Sequence, residues 1–338
     1  MVVEIIKKVV SQFEKLSVCT EPAEVLSKTD CKLSSTGFDK LNLAVLSLQL
    51  LKLYTINKND FLCFMSLYIA SLNSGSNGNC YYIGNDTDAV LVDVGISCRE
   101  TEKRMKLAGL DICKVKAIFV SHEHGDHIKG VSTLANRYML PVYITSLTAK
   151  NGPILIRHLS KPFAAGEVVS IGSLNVTAFA KKHDANDPHS FIISYNDTTV
   201  GVFTDIGIAC NEVVNYFKQC HAVFLESNYD EAMLENGRYP IHLKNRIRGG
   251  EGHLSNRQAL ELFLQHRPSF MSHILLSHLS KENNDPQLAT DLFMEHANGV
   301  EIIVASRYKA TDVFTITNSS NKVSTKHFIK PVQLGLFA

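Results

Sequence analysis

The amino-acid sequence predicts an α/β fold with mixed β-sheets, and three observations support this class. Short apolar runs typical of strands alternate with helix signals from Met65 onward. Histidine and aspartate, residue types that can bind metals, follow directly after several of these runs, and functional residues are common at strand ends in layered α/β folds. With 338 residues and 45% apolar composition, the chain is long enough to bury a large core.

The predicted elements follow one another along the chain from Met65. Strands are expected where apolar and β-branched residues lie between turn signals, at residues 66–71, 81–83, 89–94, 115–120, 141–144, 174–180, 191–195, 200–204, 223–225 and 273–277. Helices are expected at residues 97–109, 130–138, 212–219, 255–264 and 285–299.

Capping signals set the bounds of several of these helices. Ser97 with Glu100 forms a capping box, and Gly109 suits a left-handed C-terminal cap. A second capping box precedes the helix at 255–264, and an Asp-Pro pair opens the last helix. We expect that last helix to close at Gly299.

The first 64 residues differ in composition from the rest. They contain none of the 14 histidines, one of the 19 glycines and one of the nine prolines. Met65 is followed at once by the first strand pattern. The sequence therefore predicts a dispensable or disordered extension at 1–64 and a functional domain at 65–338.

Charge, cysteines and hydropathy exclude several classes of protein. A net charge of +1 gives no global attraction to polyanions or to membrane surfaces. The eight cysteines form no Cys-x-x-Cys pair, which is typical of reduced cytosolic thiols. No secretory signal is evident, and the apolar stretch at 41–53 is too short to span a bilayer. We therefore expect a cytoplasmic protein without a membrane partner.

The segment Ser-His-Glu-His-Gly-Asp-His at 121–127 carries the strongest chemical signal. It follows the apolar strand pattern at 115–120 directly. Four of its side chains are potential metal ligands: His122, His124, Asp126 and His127. Imidazole nitrogen and carboxylate oxygen suit zinc, manganese or iron, so the segment predicts a divalent metal site.

Three further residues at predicted strand ends complete a candidate site for two metals. His183 follows the strand at 174–180, Asp205 ends the run at 200–204, and His278 ends the run at 273–277. A carboxylate has two oxygens, so Asp205 can bridge two cations about 3.5–4 Å apart, as in two-metal hydrolases. Each of these residues alone is more often structural, and only their combination with the segment at 121–127 predicts ligands.

The order of these motifs resembles that of the metallo-β-lactamase-fold hydrolases over residues 65–338. This resemblance implies a four-layer αβ/βα sandwich with two mixed β-sheets and a dinuclear site at one edge. It implies that one metal is held by His122, His124 and His183, the other by Asp126, His127 and His278, and that Asp205 bridges them. It also implies that Asp93 orients a ligand histidine by a hydrogen bond.

Finer motifs resemble those of the YycJ (WalJ) family of this superfamily. They lie at 73–80, 225–230, 252–256 and 277–280. The segment at His278 also resembles the last metal motif of ribonuclease Z, and this likeness implies that Glu226 and His253 form a proton-donating pair. We therefore expect a phosphodiesterase that acts on nucleic acid, of the 5′–3′ DNA exonuclease type.

The chemistry also follows from the residues themselves. Two divalent cations lower the pKa of a bound water toward about 7 and so make hydroxide available at neutral pH. Asp126 is expected to accept a hydrogen bond from the nucleophile, and His253 to protonate the leaving oxygen. The predicted substrate contacts lie in the glycine-rich loop, near Glu226 and in a basic stretch at 238–248; they are Ser74, Ser76, Asn77, Asn79, Asn228, Lys244 and Arg248.

Several alternatives remain open on the sequence. The same seven ligands serve glyoxalase-type thioesterases and lactonases, which would require an apolar acyl pocket. A metal-stabilised regulatory protein without catalysis is a third hypothesis. For individual residues, His253 can belong to a helix cap, and the basic stretch can be a solvated helix face. His189 competes with His183, although the strand pattern that starts at residue 191 favours a position in a sheet.

Overall fold

A computed structural model describes residues 66–153, 156 and 158–318 of the chain. Within these residues, no helix has the length and apolar character needed to cross a membrane. The five described cysteines, at positions 80, 98, 113, 210 and 220, are free thiols. Our predictions for 1–64, including the apolar stretch at 41–53, lie outside the described residues.

The first sheet has seven strands in the order β14-β1-β2-β3-β4-β5-β6. Its strands are β1 (Leu67–Asn73), β2 (Cys80–Gly84), β3 (Ala89–Val92), β4 (Val115–Phe119), β5 (Val142–Tyr143), β6 (Ser160–Lys161) and β14 (Phe314–Ile316). Pairing is antiparallel from β14 to β3 and parallel from β3 to β6. The sheet is mixed, and its pairing changes direction at β3.

The second sheet repeats this pattern with seven strands in the order β13-β12-β11-β10-β9-β8-β7. Its strands are β7 (Val168–Ile171), β8 (Leu174–Ala180), β9 (His189–Tyr195), β10 (Thr198–Phe203), β11 (Ala222–Glu226), β12 (His273–Ser277) and β13 (Glu301–Val304). Pairing is antiparallel from β7 to β10 and parallel from β10 to β13. Here the direction changes at β10.

Nine α-helices lie within the described part of the chain. They are α1 (Cys98–Leu107), α2 (Gly125–Ile128), α3 (Val131–Tyr138), α4 (Ser146–Asn151), α5 (Asn211–Phe217), α6 (Glu231–Asn236), α7 (Ile241–Arg248), α8 (Asn256–His266) and α9 (Pro286–Met294). The predicted capping box at α8 is present, since the Ser255 and Gln258 side chains each bond the other's backbone N–H. At α1 only half of the predicted capping box forms: the Ser97 side chain accepts from the Glu100 N–H, but the Glu100 carboxylate pairs with Arg104. Gly109 is left-handed, as predicted.

The extent of α9 differs from the prediction. The helix ends at Met294, and Gly299 lies five residues farther along in a left-handed turn before β13. Asn298 also has a positive φ of 45°, so two consecutive left-handed residues turn the chain into the strand. Glycine was correctly identified as a turn residue, but the pattern did not show where the helix stopped.

Buried apolar side chains form three clusters, one between the two sheets and one between each sheet and its helices. One cluster joins both sheets and includes Val90 and Phe119 of the first sheet with Phe191 and Phe224 of the second. A second cluster packs helices α1 and α3 on the outer face of the first sheet. A third packs α5, α8 and α9 on the outer face of the second sheet. The result is the predicted four-layer αβ/βα sandwich with two mixed sheets.

Candidate metal centre

The loop after β4 carries the first four candidate ligands. β4 ends at Phe119, and the short helix α2 begins at Gly125, so the histidine segment turns sharply between them. His122 and His127 are fully buried, while His124 and Asp126 are partly exposed. Nε2 of His122 lies 3.0 Å from Nδ1 of His124. The loop therefore presents all four side chains at one edge of the first sheet.

The second sheet supplies three more side chains from the ends of its strands. His183 follows β8, Asp205 follows β10 and His278 follows β12 directly. All three are at least nine-tenths buried. Asp205 and His278 have positive φ angles of 56° and 57°, a conformation that turns each side chain out of its strand direction. Strand ends thus bring distant parts of the sequence to one place.

The structure brings all seven predicted ligand residues together. Their candidate ligand atoms form overlapping groups within 4.8 Å: His122, His124 and His183; His122, His127 and Asp205; Asp126, His127 and His278. We distinguish two sides of this group: one contains His122, His124 and His183, and the other contains Asp126, His127 and His278. Asp205 lies between them, with Oδ2 3.2 Å from Nε2 of His127 and Oδ1 3.8 Å from Nε2 of His183. We call these seven residues the metal cluster.

Unpaired buried atoms show that this cluster fits divalent metal. His183 Nε2, Asp205 Oδ2 and His278 Nε2 are buried and have no hydrogen-bond partner among the described residues. Buried polar atoms without partners are rare in native proteins, because each costs about 1–3 kcal/mol. Nitrogen and oxygen donors that converge in this way suit a divalent cation. The cluster therefore fits a divalent metal.

Hydrogen bonds behind the cluster fix the orientation of its histidines. Asp93 Oδ2 lies 2.7 Å from Nδ1 of His127, and both Asp93 oxygens also accept bonds from Ser121. Nδ1 of His183 donates to the backbone carbonyl of Gly252 at 3.0 Å. In each case the other ring nitrogen is left toward the cluster, as metal-binding histidines require. Asp93 therefore contacts one of the candidate ligand histidines, and its orienting role stays a prediction.

Glu226, at the end of β11, contacts two histidines at once. Its Oε1 lies 2.8 Å from Nδ1 of His253 and 2.9 Å from Nδ1 of His278. Its Oε2 accepts bonds from the backbone N–H groups of Ile206 and Leu254. Glu226 is fully buried, whereas the His253 side chain is 19% exposed. The carboxylate therefore links a member of the metal cluster to a histidine that reaches solvent.

Electrostatics in this region follow from burial and from the dense packing of opposite charges. Burial raises the pKa of the Glu226 carboxyl, but His253 and His278 outweigh it and lower that pKa to about 2. Burial also raises the pKa of Asp205, and His278 and His127 likewise outweigh it and hold that pKa well below its usual range. Both carboxylates are therefore ionised at neutral pH.

A buried lysine beneath the cluster was missed by the sequence analysis. Lys181 is 5% exposed, and its Nζ donates to the backbone carbonyl of Thr204 at 2.6 Å. Thr204 immediately precedes Asp205, so this bond holds the turn that presents the carboxylate. Burial lowers the pKa of the Lys181 ammonium. Proximity to His183 in sequence was its only signal, and lysines are abundant on surfaces.

The predicted substrate residues fall into two structural groups. Ser74, Asn79 and Asn228 are buried and bond to the metal cluster itself: Ser74 accepts from the backbone N–H of His278, Asn79 contacts Asp126, and Asn228 donates to the carbonyl of His278. Ser76 and Asn77 are exposed at the tip of the glycine-rich loop. Direct substrate contact by any of these residues stays a prediction.

The predicted basic stretch lies mainly on helix α7. Lys244 donates to the backbone carbonyl of Glu235, and Arg248 forms an ion pair with the Glu235 carboxylate at 2.9 Å. Arg246 pairs with Asp184, the residue after His183. Several of these cations therefore already have protein partners. A role for Lys244 and Arg248 in substrate binding stays a prediction.

The comparisons with known proteins agree with this geometry. Residues 74–243 match the model of the metallo-beta-lactamase superfamily. The exodeoxyribonuclease YycJ of Bacillus anthracis is 34% identical over 266 residues, which cover 78% of this chain and 98% of that protein. The exodeoxyribonuclease WalJ of Streptococcus pneumoniae serotype 2 is 29% identical over 247 residues, covering 71% of this chain and 92% of that protein.

A solved structure supports the same fold. The metallo-beta-lactamase fold protein YhfI from Bacillus subtilis superimposes with a TM-score of 0.56 at 16% sequence identity, and the match covers 74% of this chain and 99% of that one. At this identity the likeness concerns the fold alone. The sequence matches over most of the chain show that the protein belongs to the YycJ (WalJ) family of the metallo-β-lactamase superfamily of metal-dependent hydrolases.

Proposed function

We propose that this protein is an exonuclease that hydrolyses phosphodiester bonds in DNA from the 5′ end with the help of two divalent cations. The observation that carries the proposal is the contact of Glu226 with both His253 and His278. It couples a partly exposed histidine, suited to proton transfer, to the metal cluster. The names of the two curated relatives, both exodeoxyribonucleases, support DNA as the substrate.

The two cations are assigned to the two sides of the metal cluster. His122, His124 and His183 would hold one; Asp126, His127 and His278 would hold the other; Asp205 would contact both. When bound, two such cations supply activation of water and neutralise charge on the scissile phosphate. The donor set of imidazoles and carboxylates suits zinc or manganese, and also iron.

His253 is the proposed general acid. Its Nδ1 faces Glu226, so its Nε2 is the nitrogen available to the leaving oxygen of the substrate. The contact with the ionised Glu226 carboxylate fixes the orientation of the His253 ring. Proton donation to the leaving group contributes about 10²–10⁴-fold to the rate of such reactions.

Asp126 is the proposed acceptor for the attacking water. Its carboxylate is 22% exposed, against 2% for Asp205 and 0% for Glu226, and Asn79 donates to Oδ2 at 3.2 Å. Its Oδ2 also lies 3.5 Å from Nε2 of both His127 and His278. A carboxylate fixed by these contacts holds one oxygen in place to orient a water molecule.

A thioesterase or lactonase, the second hypothesis, would require an apolar pocket for an acyl group. The open cavity of about 280 Å³ at Asp184, the residue after His183, is lined by Asp184, Asn245, Arg246, Glu251 and two glycines. This lining offers no apolar side chain to an acyl group. A purely structural metal site, the third hypothesis, needs no solvent-exposed proton donor such as His253.

The decisive experiment incubates the full chain, loaded in turn with zinc, manganese or iron, with end-labelled single- and double-stranded DNA and RNA. We expect progressive shortening of DNA from its 5′ end. Parallel assays use bis-p-nitrophenyl phosphate, a thioester and a lactone. Hydrolysis of the thioester or lactone without cleavage of any nucleic acid would overturn the proposal.

We infer a cytoplasmic location for this activity, which the five free cysteines support.

A further inference from the structure

An arginine outside the predicted basic stretch lies next to the metal cluster. Arg307 follows β13 by three residues and is partly buried. Its Nη2 donates to the backbone carbonyl of Leu279 at 2.7 Å. Leu279 directly follows His278 in the chain, so the guanidinium bonds the neighbour of a predicted metal ligand.

The glycine-rich loop is shaped to admit this guanidinium. Gly75 has a φ of 131°, and a Cβ atom placed on it would lie 2.8 Å from Nη2 of Arg307. The Asn77 side chain donates to the Arg307 carbonyl at 3.1 Å, and the Ser74 N–H donates to the Ser306 carbonyl at 3.2 Å. The absence of a side chain at residue 75 therefore leaves the space that Arg307 occupies.

The charge of Arg307 is not neutralised within the described part of the chain. No carboxylate among residues 66–153, 156 and 158–318 forms an ion pair with it. On α7, by contrast, Arg246 and Arg248 are paired with Asp184 and Glu235. A guanidinium has five N–H donors, and the Leu279 carbonyl takes one of them. The remaining donors suit an anion that brings its own charge.

We propose that Arg307, seated against Gly75, binds a phosphate of the nucleic-acid substrate that flanks the scissile phosphate. This inference rests on the proposed function. The fork of an arginine matches phosphate oxygens, and charge-assisted hydrogen bonds of this kind are stronger than neutral ones. The described contacts of the guanidinium are with the backbone carbonyl of Leu279 and with Gly75 and involve no side chain of the metal cluster, so we place its phosphate beside the scissile one and not at the metals. The fixed bond to Leu279 presets its orientation before substrate arrives.

Binding measurements on the full, metal-loaded chain test this subsite without relying on turnover. The probe is a fluorescent phosphorothioate oligonucleotide, which resists hydrolysis, and the readout is anisotropy. Arg307→Gln should weaken binding by about 10-fold and reduce the slope of log affinity against log salt by about one. Arg307→Lys, which keeps the charge, should lose less. Lys309→Gln, which removes an exposed charge two residues away, is the matched control and should change neither quantity.

A second pair of probes shows whether Arg307 binds a terminal 5′-phosphate or an internal phosphodiester. Oligonucleotides with a 5′-phosphate and with a 5′-hydroxyl are compared. If Arg307 binds a terminal phosphate, the wild type prefers the phosphorylated probe and Arg307→Gln removes that preference. If it binds an internal diester, the variant weakens both probes equally. Either result supports the subsite.

The outcomes that overturn the subsite differ from those that overturn the nuclease. Unchanged binding in Arg307→Gln, or an equal loss in Lys309→Gln, overturns the subsite. So does a loss of metal content, or an equal loss of bis-p-nitrophenyl phosphate hydrolysis, because both indicate a structural role for Arg307. If the wild type binds DNA through Arg307 but cleaves no nucleic acid, the subsite stands and the nuclease proposal fails. A wild type that binds no oligonucleotide overturns both.

Discussion

Asp93 and Asp205 occupy matching positions in the two sheets and contact the same imidazole from opposite sides. Each follows the strand at which pairing changes from antiparallel to parallel, β3 and β10 respectively. Their φ angles are 59° and 56°. Asp93 Oδ2 lies 2.7 Å from Nδ1 of His127, and Asp205 Oδ2 lies 3.2 Å from its Nε2. Asp93 therefore contacts one ring nitrogen of His127, and Asp205 lies near the other.

Substitution of Asp205 tests the bridging role. Asp205→Asn keeps the shape of the side chain but removes its charge and one acceptor oxygen. Because Asp205 lies between the two sides of the metal cluster, we expect the bound metal to fall from two ions per chain to one. Metal content is measured by mass spectrometry after dialysis. Asp312→Asn changes an exposed aspartate in the same way and should keep both ions; two ions in Asp205→Asn would contradict the bridging role.

Asp93→Asn is expected to give a different result. Asp93 makes its contacts on the far side of His127 from the cluster, so both metal positions remain. Loss of such an orienting carboxylate weakens metal affinity by about 10–100-fold. Competition with a fluorescent chelator measures this affinity. A changed stoichiometry at saturating metal would show that Asp93 is itself a ligand.

The sequence predicted which residues come together in the metal cluster, because its signals are local. The segment at 121–127 holds four of the candidate ligands, and His183, Asp205 and His278 each follow a strand that its own composition reveals. Sheet pairing then brings those strand ends together, as the resemblance to the superfamily implied. The fold class followed for the same reason.

Features that depend on tertiary contacts could not be predicted from the sequence. Lys181 and Arg307 are ordinary cations in the chain, and only the fold places one under Asp205 and the other against Gly75. The strands β6 and β14 contain two and three residues, too few to show any alternation. Helix α9 ends at Met294, five residues before the glycine that was predicted to close it.

His253 is predicted to transfer a proton and not to bind metal. His253→Gln should lower turnover on a phosphodiester by about 10²–10⁴-fold while both metal ions remain bound. His242→Gln, an exposed histidine on α7, is the matched control and should have no effect. His253 lies within ligand distance of Asp205, Glu226 and His278. Loss of a metal ion in His253→Gln would therefore reassign it as a ligand.

We predict that residues 1–64 are dispensable. The Bacillus relative is matched over 98% of its length by 78% of this chain, so about a fifth of the chain has no counterpart there. A chain of residues 65–338 keeps the whole of β1, which begins at Leu67. It should be soluble, bind as much metal as the full chain and show equal specific activity. An insoluble or inactive product would contradict this prediction.

The two sides of the metal cluster should differ in their pH dependence. Burial lowers the pKa of His183 to about 4 and that of His122 well below its usual value. Burial also lowers the pKa of His278, but Asp205 and other acidic neighbours outweigh it and raise it to about 10. The pKa of His127 is likewise raised well above its usual value despite burial, chiefly by Asp205. Without metal, His122 and His183 are neutral at pH 7, whereas His127 and His278 are protonated.

Metal binding must therefore release protons mainly on the side of His127 and His278, because a ligand histidine has to be neutral. As the pH falls from 8 to 6, these raised pKa values keep the rings protonated and affinity on that side decreases. His122 and His183 contribute no such loss of affinity, since these two rings stay neutral until far lower pH. Zinc titration of the metal-free protein, by calorimetry in buffers of different ionisation enthalpy, counts the released protons. We expect few for the first ion and up to about two for the second; equal release for both would contradict the assigned asymmetry.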